Sequence, residues 1–323
     1  MERITFDVHL GAKELREILE NDARTGLTSS PKFIPSKYFY DQKGSKLFDE
    51  ITRLPEYYLT RAERSILERY SDEIVRRCGA DTLVEIGSGT SDKTRLLLDA
   101  FWNSGRLDRF IPFDVDESTL RSAALGLVSS YPDLRVHGVV GDFEENLHQL
   151  PKEGKRLIAF IGSTIGNLDA LGRMKFLEQL AGNMAPGDYF LVGIDLVKER
   201  ATLEVAYNDS AGITAEFNRN ILDVLNNSLD GDFAPDRFEH VAFFDQDNSW
   251  IEMRLRSRQQ QEVRIAAIDL ELNLSSGEEI RTEISCKFTI EQVEGELQRS
   301  GLMPLEWWLD DNGRFALGLS AKP

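Results

Sequence analysis

Leu83-Val84-Glu85-Ile86-Gly87-Ser88-Gly89 is a short apolar run that ends in two closely spaced glycines. The apolar part has the length and composition of a buried β-strand, and the glycines allow a tight turn into the helix predicted over residues 91–101. In open α/β sheets, a turn of this kind brings backbone amides against a ligand. The stretch therefore predicts an α/β fold whose binding site lies at the carboxyl end of this strand.

The same alternation of apolar strands and helices continues along the chain. It predicts a doubly wound, largely parallel sheet. The helix predicted over residues 61–77 has Thr60 as its predicted N-cap, with Glu63 in the capping-box position. Near the carboxyl terminus, Asn312-Gly313 separates two alternating runs, residues 305–309 and 315–319, which predicts an antiparallel hairpin. The predicted parallel strands are residues 82–86, 109–114, 134–140, 156–162 and 189–195, and the predicted helices are residues 61–77, 91–101, 117–129, 169–184 and 289–300.

Two segments interrupt this alternation and predict a second, smaller domain of α+β structure. Residues 196–282 contain a helical stretch over 202–229 and two alternating strands, over 250–255 and 263–267. The amino-terminal segment contains a helix over 11–28 and then many aromatic residues, which we expect to pack as a lid or wall. The sequence therefore predicts an α/β domain that is interrupted by an inserted unit over residues 196–282.

Acidic side chains stand at the ends of three successive predicted strands. Glu85 belongs to the first strand, Asp114 ends the second, and Asp142 follows the third, next to Phe143. A carboxylate at Asp114 can accept both hydroxyls of a ribose, and Asp142 can accept an adenine amino group beside the Phe143 ring. In a dinucleotide site a third glycine would stand where this chain has Asp92, which disfavours a pyrophosphate. The pattern favours S-adenosylmethionine, a nucleoside cofactor without a phosphate.

The glycine turn and the lysine after it complete the predicted cofactor site. Each acid alone is better explained as a strand-end cap or a solvated residue, and the glycine turn alone is a weak signal. Their occurrence after three successive strands favours a shared crevice, and the spent cofactor would be S-adenosylhomocysteine. The residues predicted to bind the cofactor are Glu85, Gly87, Ser88, Gly89, Lys93, Asp114, Asp142 and Phe143.

The composition is that of a soluble globular protein with an acidic surface. The 323 residues carry a formal net charge of -17, and the basic residues are scattered. Because nucleic-acid binding depends on Lys and Arg beside phosphates, this balance disfavours DNA or RNA as the methyl acceptor and favours a small molecule or a protein. No apolar run is long enough to span a membrane, and the charged amino terminus does not resemble a signal peptide.

The cysteines and histidines exclude two further kinds of site. Cys78 and Cys286 are too few for a disulfide framework and are expected to be buried thiols in a reducing compartment. We therefore expect a cytoplasmic protein, and we expect it to be a monomer. No metal site is predicted, because the four histidines lack ligand spacing: they are His9, His137, His148 and His240.

The loop after the fourth predicted strand, Gly162-Ser163-Thr164-Ile165-Gly166-Asn167, is expected to face the transferable methyl group. Enzymes that methylate the amino groups of nucleic acids and glutamine carry an Asn/Asp-Pro-Pro-aromatic motif here, which this chain lacks. The Asn167 amide can bond a carboxylate or an amine, although an N-cap for the helix over 169–184 explains it equally well. Because a sulfonium is already an activated electrophile, the protein needs to supply in-line positioning and a deprotonated acceptor.

A set of distinctive motifs runs along nearly the whole chain: Tyr38-Phe39-Tyr40-Asp41, Gly44-Ser45-Lys46-Leu47-Phe48-Asp49, Ile51-Thr52-Arg53-Leu54-Pro55-Glu56-Tyr57-Tyr58, Glu85-Ile86-Gly87-Ser88-Gly89-Thr90-Ser91, Gly162-Ser163-Thr164-Ile165-Gly166-Asn167 and Thr282-Glu283-Ile284-Ser285-Cys286-Lys287-Phe288. Together they resemble the histidine-specific Nα-methyltransferases of ergothioneine biosynthesis. The resemblance implies a Rossmann-like class I methyltransferase domain of residues 62–195 and 288–323, discontinuous in sequence, with a smaller α+β substrate-binding domain of residues 1–61 and 196–287. It also implies three successive methyl transfers that convert histidine to N,N,N-trimethylhistidine (hercynine).

The resemblance further implies individual roles in substrate binding. Asn167 and Tyr207 would hold the substrate carboxylate, and Tyr40 would lie near the α-amine in a pocket lined by Gly162. Tyr40 is also the candidate catalytic residue, which would orient the amine or pass its proton to water, since no strong base is visible. The residues implied for the imidazole ring are Tyr57, Glu283 and Ser285, with Met253 packed against it.

The sequence around Glu283 agrees with this assignment but does not favour it without the resemblance. Residues 280–285 alternate, so Arg281, Glu283 and Ser285 are expected to share one strand face. A carboxylate that accepts from an imidazole N–H suits histidine better than indole, which has no second ring nitrogen. Such a charge-assisted bond is worth about 1.5–3 kcal/mol. The alternative is an exposed glutamate on an edge strand.

Three rival functions are compatible with the same fold. Related enzymes of fungal alkaloid pathways methylate tryptophan or a prenylated relative, and Glu283 with Ser285 disfavours this substrate. Methylation of a protein amino terminus or side chain is disfavoured by the aromatic segment, which predicts a closed pocket. A catalytically silent cofactor-binding module would bind S-adenosylmethionine without turnover.

Overall fold

The computed structural model describes residues 3–89 and 93–323, which divide into two compact units. The first helix turn predicted at 91–93 therefore lies partly outside the described residues. Unit 1 contains the described residues up to Gly11 together with Leu59–Val197 and Phe288–Pro323. Unit 2 contains Ala12–Tyr58 and Lys198–Lys287. Each unit is formed from segments that are distant in the sequence.

The helices and strands are numbered in chain order. The strands are β1 (Ile4–Val8), β2 (Lys32–Phe33), β3 (Thr82–Ile86), β4 (Arg109–Asp114), β5 (Arg135–Val140), β6 (Arg156–Phe160), β7 (Tyr189–Asp195), β8 (Phe238–Asp245), β9 (Trp250–Ser257), β10 (Gln261–Ile265), β11 (Leu270–Leu274), β12 (Glu279–Cys286), β13 (Met303–Leu309) and β14 (Phe315–Ala321). The helices are α1 (Ala12–Thr28), α2 (Gln42–Ile51), α3 (Leu59–Cys78), α4 (Thr94–Asn103), α5 (Glu117–Ser130), α6 (Phe143–Asn146), α7 (Ala170–Asn183), α8 (Arg200–Ala206), α9 (Ile213–Leu229) and α10 (Ile290–Arg299).

Unit 1 contains a large sheet, with the strand order β1-β5-β4-β3-β6-β7-β14-β13 in the described residues. Strand β3 is buried along its whole length between β4 and β6, both parallel to it, which explains its continuous apolar run. Because the strand order reverses at β3, the ligand crevice of such a sheet lies at the carboxyl end of this strand. Strand β14 is inserted antiparallel between β7 and β13. The predicted fold class, a Rossmann-like sheet closed by an antiparallel strand, is confirmed.

The amino-terminal residues belong to the large sheet, which differs from the predicted domain boundary. Residues 1–61 were all assigned to the substrate-binding domain, whereas β1 pairs in parallel with β5, from Ile4 beside Val136 to Val8 beside Val140. The Phe6 ring lies over Gly138, where a β-carbon would come within 2.3 Å of it. The edge of the sheet therefore offers backbone hydrogen bonds and a flat surface for the amino-terminal segment.

The capping box predicted at the start of α3 is wrong. The helix begins at Leu59, so Thr60 lies within it, and the Glu63 side chain is fully buried at 0% exposure. Its carboxylate is therefore directed into unit 1 and does not cap the helix.

Unit 2 combines a sheet of strand order β2-β12-β9-β8, in the described residues, with a separate β10–β11 hairpin and the long helix α9. The helical stretch predicted over 202–229 is two helices, α8 and α9. Gly212 breaks it with a φ of 77°, and the Asp209 carboxylate accepts hydrogen bonds from the amides of Ile213 and Thr214. Strands β8 and β11 were not predicted.

Strand β12 pairs antiparallel with β9 and carries a bulge at Thr282. Arg281 lies opposite Arg254, whereas Glu283 lies opposite Met253 and Ser285 opposite Ile251. Because Arg254 and Met253 point to opposite faces of β9, Arg281 and Glu283 do too. The predicted common face of Arg281, Glu283 and Ser285 is therefore wrong for Arg281, and it holds for the other two.

The described helices include none with the combined length and apolar character needed to cross a membrane.

Candidate active site

The glycine turn after β3 is held by the neighbouring strand and is open on its other side. The Gly87 amide donates to the Phe113 carbonyl at 2.9 Å, and the Gly89 amide donates to Asp114 Oδ2 at 2.9 Å. Both glycines have positive φ, 69° and 48°, a conformation that glycine adopts without strain. Among the described residues, a β-carbon at either position would meet nothing within 4 Å. The turn therefore leaves space for a ligand against its backbone.

Glu85 fixes the two ends of this loop. Its buried carboxylate accepts a 2.5 Å hydrogen bond from the Ser88 hydroxyl and another from the Thr94 hydroxyl. Burial raises the pKa of Glu85 to about 7, against the lowering effect of these two hydroxyl bonds. Because Ser88 lies before and Thr94 after residues 90–92, Glu85 links the glycine turn to helix α4.

Asp114 and Asp142 stand at the ends of β4 and β5, as the sequence predicts, and both also bond to backbone. Asp114 accepts from the amides of Gly89 and Asp116 at 2.9 and 3.1 Å, and burial raises its pKa. Asp142 is the N-cap of α6, since its Oδ1 accepts from the Glu144 amide at 2.9 Å. Each carboxylate oxygen accepts more than one bond, so the capping role leaves room for a ligand.

Phe143 packs edge-on against other rings below the ends of these strands. Its ring centroid lies 5.4 Å from that of Phe160 and 5.9 Å from that of Phe176, with interplanar angles of 63° and 86°. This packing fixes the ring beside Asp142.

The buried Glu63 carboxylate links the start of helix α4 to the loop after β6. Glu63 of α3 accepts a hydrogen bond at Oε1 from the Gly162 amide at 2.6 Å, and its Oε2 pairs with the Lys93 ammonium. Gly193 of β7 makes room for it, because a β-carbon there would lie 2.4 Å from Oε1. Glu63 therefore positions two residues that the sequence predicts to be functional, one in each loop.

Asn167 lies in the loop after β6 and does not cap helix α7. Asp169 is the N-cap, and its side chain accepts from the Gly172 amide at 2.8 Å, so the capping explanation of Asn167 is wrong. Ser163 has a left-handed φ of 59°, and its Oγ accepts from the Asp195 amide at 3.1 Å. This tight turn leads into the 3₁₀ turn Thr164–Asn167, in which Asn167 is half-buried.

In unit 2, ring contacts connect the three tyrosines that the sequence assigns to the substrate. Tyr40 stacks edge-on against Phe48 and Phe217, at 5.4 and 5.7 Å between centroids. Phe48 in turn contacts Tyr57 at 6.2 Å, and Tyr57 contacts Tyr207 at 6.1 Å. Tyr40 remains 39% exposed, whereas Tyr57 and Tyr207 are buried. The aromatic motifs near the amino terminus thus form one wall of unit 2.

A buried polar cluster continues from this wall. The hydroxyls of Tyr207 and Ser285 lie 2.8 Å apart. The Lys287 ammonium donates to Ser285 Oγ at 2.7 Å and to Tyr207 Oη at 3.0 Å, and it lies 4.7 Å from the centre of the Tyr207 ring. Lys287 is only 1% exposed. Tyr207 and Ser285, which the resemblance assigns to opposite ends of the substrate, are therefore in direct contact.

Glu283 lies on the same strand face as Ser285, opposite the fully buried Met253 on β9. Burial raises the pKa of Glu283 to about 7, and the Lys287 charge acts in the opposite direction. Among the described residues, no hydrogen bond contributes to this pKa. The carboxylate is thus half-buried without a protein donor of its own, which is typical of a group that binds a ligand.

Sequence reasoning missed three kinds of residue here. Lys287 lies within the motif of residues 282–288, but only the structure shows that its side chain is buried and contacts Ser285 and Tyr207. Glu63 gave no usable signal, because its partners lie 30 and 99 positions away. Phe217 was missed because it lies on a helix that was predicted only as part of a longer stretch.

The fold and these strand-end residues define a class I S-adenosylmethionine-dependent methyltransferase. The family model for histidine-specific, S-adenosylmethionine-dependent methyltransferases matches residues 19–322, and the chain belongs to this family. Its cofactor is therefore S-adenosylmethionine.

The chain is also similar to individual curated proteins. The histidine N-alpha-methyltransferase of Mycolicibacterium smegmatis is 52% identical over 97% of this chain and 98% of that protein. The histidine N-alpha-methyltransferase of Mycobacterium tuberculosis is 50% identical over 99% of this chain and 100% of that protein. Ergothioneine biosynthesis protein 1 of Schizosaccharomyces pombe is 33% identical over 66% of this chain, which spans 29% of that longer protein.

Proposed function

We propose that this enzyme transfers methyl groups from S-adenosylmethionine to the α-amino group of L-histidine. Three successive transfers give N,N,N-trimethylhistidine (hercynine), the first step of ergothioneine biosynthesis. Family membership supports the cofactor and the amino acid. The structural observation that carries the proposal is Glu283, a half-buried carboxylate with no protein hydrogen bond acting on its pKa, two positions from Ser285 on one strand face.

Glu283 and Ser285 offer complementary groups to an imidazole ring. The carboxylate accepts from one ring N–H, and a serine hydroxyl can donate to the second ring nitrogen. Residues two apart on a strand are separated by about 7 Å, which leaves room for a five-membered ring with a hydrogen bond of about 2.9 Å on each side. Indole offers only the N–H, so the Ser285 donor would lose its partner with tryptophan.

The residues of unit 1 fit the cofactor. The open glycine turn admits a ligand against its backbone, and Asp114 and Asp142 offer acceptors for ribose hydroxyls and an adenine amino group. We assign cofactor binding to Glu85, Gly87, Ser88, Gly89, Lys93, Asp114, Asp142 and Phe143, where Glu85 acts by fixing the loop. When bound, S-adenosylmethionine supplies an activated methyl group on a sulfonium.

The task left to the protein is to deliver a neutral amine in line with the methyl group. Tyr40, held by two phenylalanine rings and partly exposed, orients the amine and passes its proton to water. Asn167 binds the substrate carboxylate, and Gly162 lines the space around the amine. Tyr207, which the resemblance also assigns to the carboxylate, bonds through its hydroxyl to Ser285 and Lys287 and supports the imidazole side of the pocket. Tyr57 and Met253 provide the apolar sides of the imidazole pocket.

We also propose that the enzyme is a cytoplasmic monomer acting on free histidine. Its two cysteines are both free and buried, as is usual in a reducing compartment. The net charge of -17 opposes binding to nucleic acid. Light scattering at working concentration should give the mass of a single chain, and a mass of two chains would contradict the proposal.

The direct test is incubation with S-adenosylmethionine and each amino acid in turn. We expect histidine alone to gain the mass of three methyl groups in place of three hydrogens, as seen by mass spectrometry. Product from tryptophan but not histidine would favour the rival alkaloid-type activity. Cofactor binding without any product would favour a silent binding module.

The Glu283→Ala variant tests the carboxylate. Removing the charge-assisted bond, worth about 1.5–3 kcal/mol, should raise KM for histidine roughly 10–100-fold, with little change in cofactor affinity. Glu262→Ala, which removes an exposed glutamate from β10 of the same unit, should leave both values unchanged. Equal losses of histidine and cofactor binding in Glu283→Ala would contradict the assignment.

A further inference from the structure

Lys287 is the most deeply buried ammonium group of the substrate-binding unit, and the proposed mechanism does not use it. It ends the strand face on which Glu283 and Ser285 lie, one position beyond β12. Its contacts are directed: Nζ donates to Ser285 Oγ at 2.7 Å and to Tyr207 Oη at 3.0 Å. Tyr207 and Ser285 already bond to each other at 2.8 Å, so they do not need an ammonium to be satisfied. Because burying a charge is costly, its presence calls for a function.

An ammonium fixes the direction of the hydrogen bonds around it, since it only donates. Each hydroxyl oxygen bonded to Lys287 uses a lone pair for that bond, so its hydrogen has to point to another acceptor. Either hydroxyl could donate in the bond between them, but the phenol of Tyr207 is the more acidic and therefore the better donor, so Tyr207 donates to Ser285. Ser285 Oγ then accepts from both Lys287 and Tyr207, and its own hydrogen is directed away from both and becomes available to a ligand. Lys287 thereby keeps Ser285 a donor at the place where the proposed function needs one.

The same charge acts on Glu283. Among the described residues, Lys287 is the charged group that influences this carboxylate. The facing strand β9 presents Met253 and Ile251, and the segment after α8 presents the Tyr207 hydroxyl. Burial favours the protonated carboxyl, whereas a nearby ammonium favours the carboxylate. Lys287 thus keeps Glu283 an acceptor while it keeps Ser285 a donor.

We propose that Lys287 is a positioning residue that sets the imidazole pocket to recognise neutral imidazole, with Ser285 donating to one ring nitrogen and Glu283 accepting from the other. This inference rests on the proposed histidine methyltransferase activity. It adds a specificity-determining residue that touches neither the substrate nor the cofactor. It also predicts that substrate recognition depends on pH through Glu283.

The test compares Lys287→Met with Lys287→Arg across pH 6 to 9, in the full-length enzyme. The Met variant keeps the length of the side chain and removes the charge, so KM for histidine should rise at least tenfold while cofactor affinity stays within twofold. Loss of the positive charge should raise the pKa of Glu283. The acid limb of kcat/KM for histidine should then move to higher pH, because Glu283 has to be ionised to accept the N–H. The substrate's own ionisations are common to all variants, so only the difference between profiles counts.

Lys287→Arg retains the charge, so its acid limb should stay at the wild-type pH even if a displaced donor lowers kcat. Lys13→Met, which removes an exposed lysine from α1 of the same unit, is the matched control. An unchanged KM and profile in Lys287→Met would overturn the inference, as would a Lys287→Arg limb that moves as far as that of Lys287→Met. Loss of cofactor binding in Lys287→Met would overturn the inference too, because a positioning residue of the imidazole pocket should leave cofactor affinity unchanged. Failure of the wild-type enzyme to methylate histidine would instead contradict the proposed function.

Discussion

Glu85 shows how one side chain serves the fold and the site together. Its two carboxylate oxygens bond to the hydroxyls of Ser88 and Thr94, on either side of residues 90–92. A hydroxyl can donate to a carboxylate and can also turn to accept from an amide or a carboxylic acid. Both hydroxyl contacts can therefore persist in either protonation state of Glu85, although the cost of burying the charge differs between them.

The Glu85→Gln variant should reveal this cost as a dependence of stability on pH. Burial raises the pKa of Glu85 from 4.5 to about 7 in the folded protein, so the folded state holds the proton more tightly than the unfolded state. The contribution of Glu85 is therefore fully present below about pH 4.5 and is lost as pH rises through about 7. Glutamine does not titrate, so the free energy of unfolding of wild type relative to Glu85→Gln should fall by roughly 3 kcal/mol between pH 4.5 and pH 8.

Urea unfolding of both proteins at several pH values measures this difference. Glu283, which has a similar raised pKa, is present in both proteins and cancels in the comparison. Glu178→Gln changes an exposed position on α7, and its free energy of unfolding should depend on pH as that of wild type does. If the difference in unfolding free energy between wild type and Glu85→Gln stays constant across this pH range, the buried Glu85 carboxyl is not the source of the pH dependence.

At the scale of elements, α3 connects the two loops that flank the end of β3. Its Glu63 carboxylate holds the Gly162 amide with one oxygen and the Lys93 ammonium with the other. The close approach of α3 to the sheet depends on Gly193 of β7, which has no side chain in the way. The helix therefore transmits the geometry of one loop to the other through a single buried carboxylate.

The Glu63→Gln variant should weaken cofactor binding more than histidine binding. The amide oxygen can still accept from Gly162, but the charge-assisted bond to Lys93, worth about 1.5–3 kcal/mol, is lost. We expect a loss of roughly 10–100-fold in affinity for S-adenosylhomocysteine, measured by calorimetry. Glu68→Gln, on the exposed side of the same helix, is the control. A selective loss of histidine affinity would show that Glu63 does not act through Lys93.

The bulge in β12 shows why alternation in the sequence alone does not determine which face of a strand each side chain occupies. The pattern of residues 280–285 is regular in sequence, but Thr282 is an extra residue against β9. Its hydroxyl bonds to Asn218 Oδ1 at 2.6 Å and to the Met253 carbonyl at 3.1 Å. These contacts come from other elements, so the two-residue period could not reveal which side Arg281 faces. Glu283 and Ser285 kept their common face because the bulge precedes both.

For the whole molecule, local patterns predicted the sheet and the glycine turn because their signals lie within a few residues of each other. The glycine turn, the strand-end acids and the closing Asn-Gly hairpin are of this kind. The remaining features depend on long-range contacts. β1 pairs with a strand more than a hundred positions away, and Glu63 bonds to residues in two distant loops. The sequence motif contains Lys287, but its burial depends on the packing of unit 2 and could not be predicted from the motif.

The division into two units makes a prediction about where each ligand protects the backbone from hydrogen exchange. A ligand that binds only the native state stabilises the structure around it, by about 2.7 kcal/mol at one hundred times its dissociation constant. S-adenosylhomocysteine should therefore slow exchange in unit 1, in peptides covering 82–89, 112–116 and 140–144. Histidine, added to that complex, should slow exchange in unit 2, in peptides covering 204–210 and 280–287.

Hydrogen exchange with mass spectrometry can resolve these peptides, and Glu283→Ala separates the two ligands. In this variant the protection by S-adenosylhomocysteine in unit 1 should be retained, because the cofactor residues are untouched. At one hundred times the wild-type dissociation constant, histidine-dependent protection over 280–287 should fall from about 2.7 kcal/mol to about 0.4–1.4 kcal/mol, because a 10–100-fold weaker affinity lowers the ratio of histidine to its dissociation constant to about 1–10. Histidine protection that is undiminished in Glu283→Ala, or that is confined to unit 1, would place the imidazole away from β12 and contradict the assigned pocket.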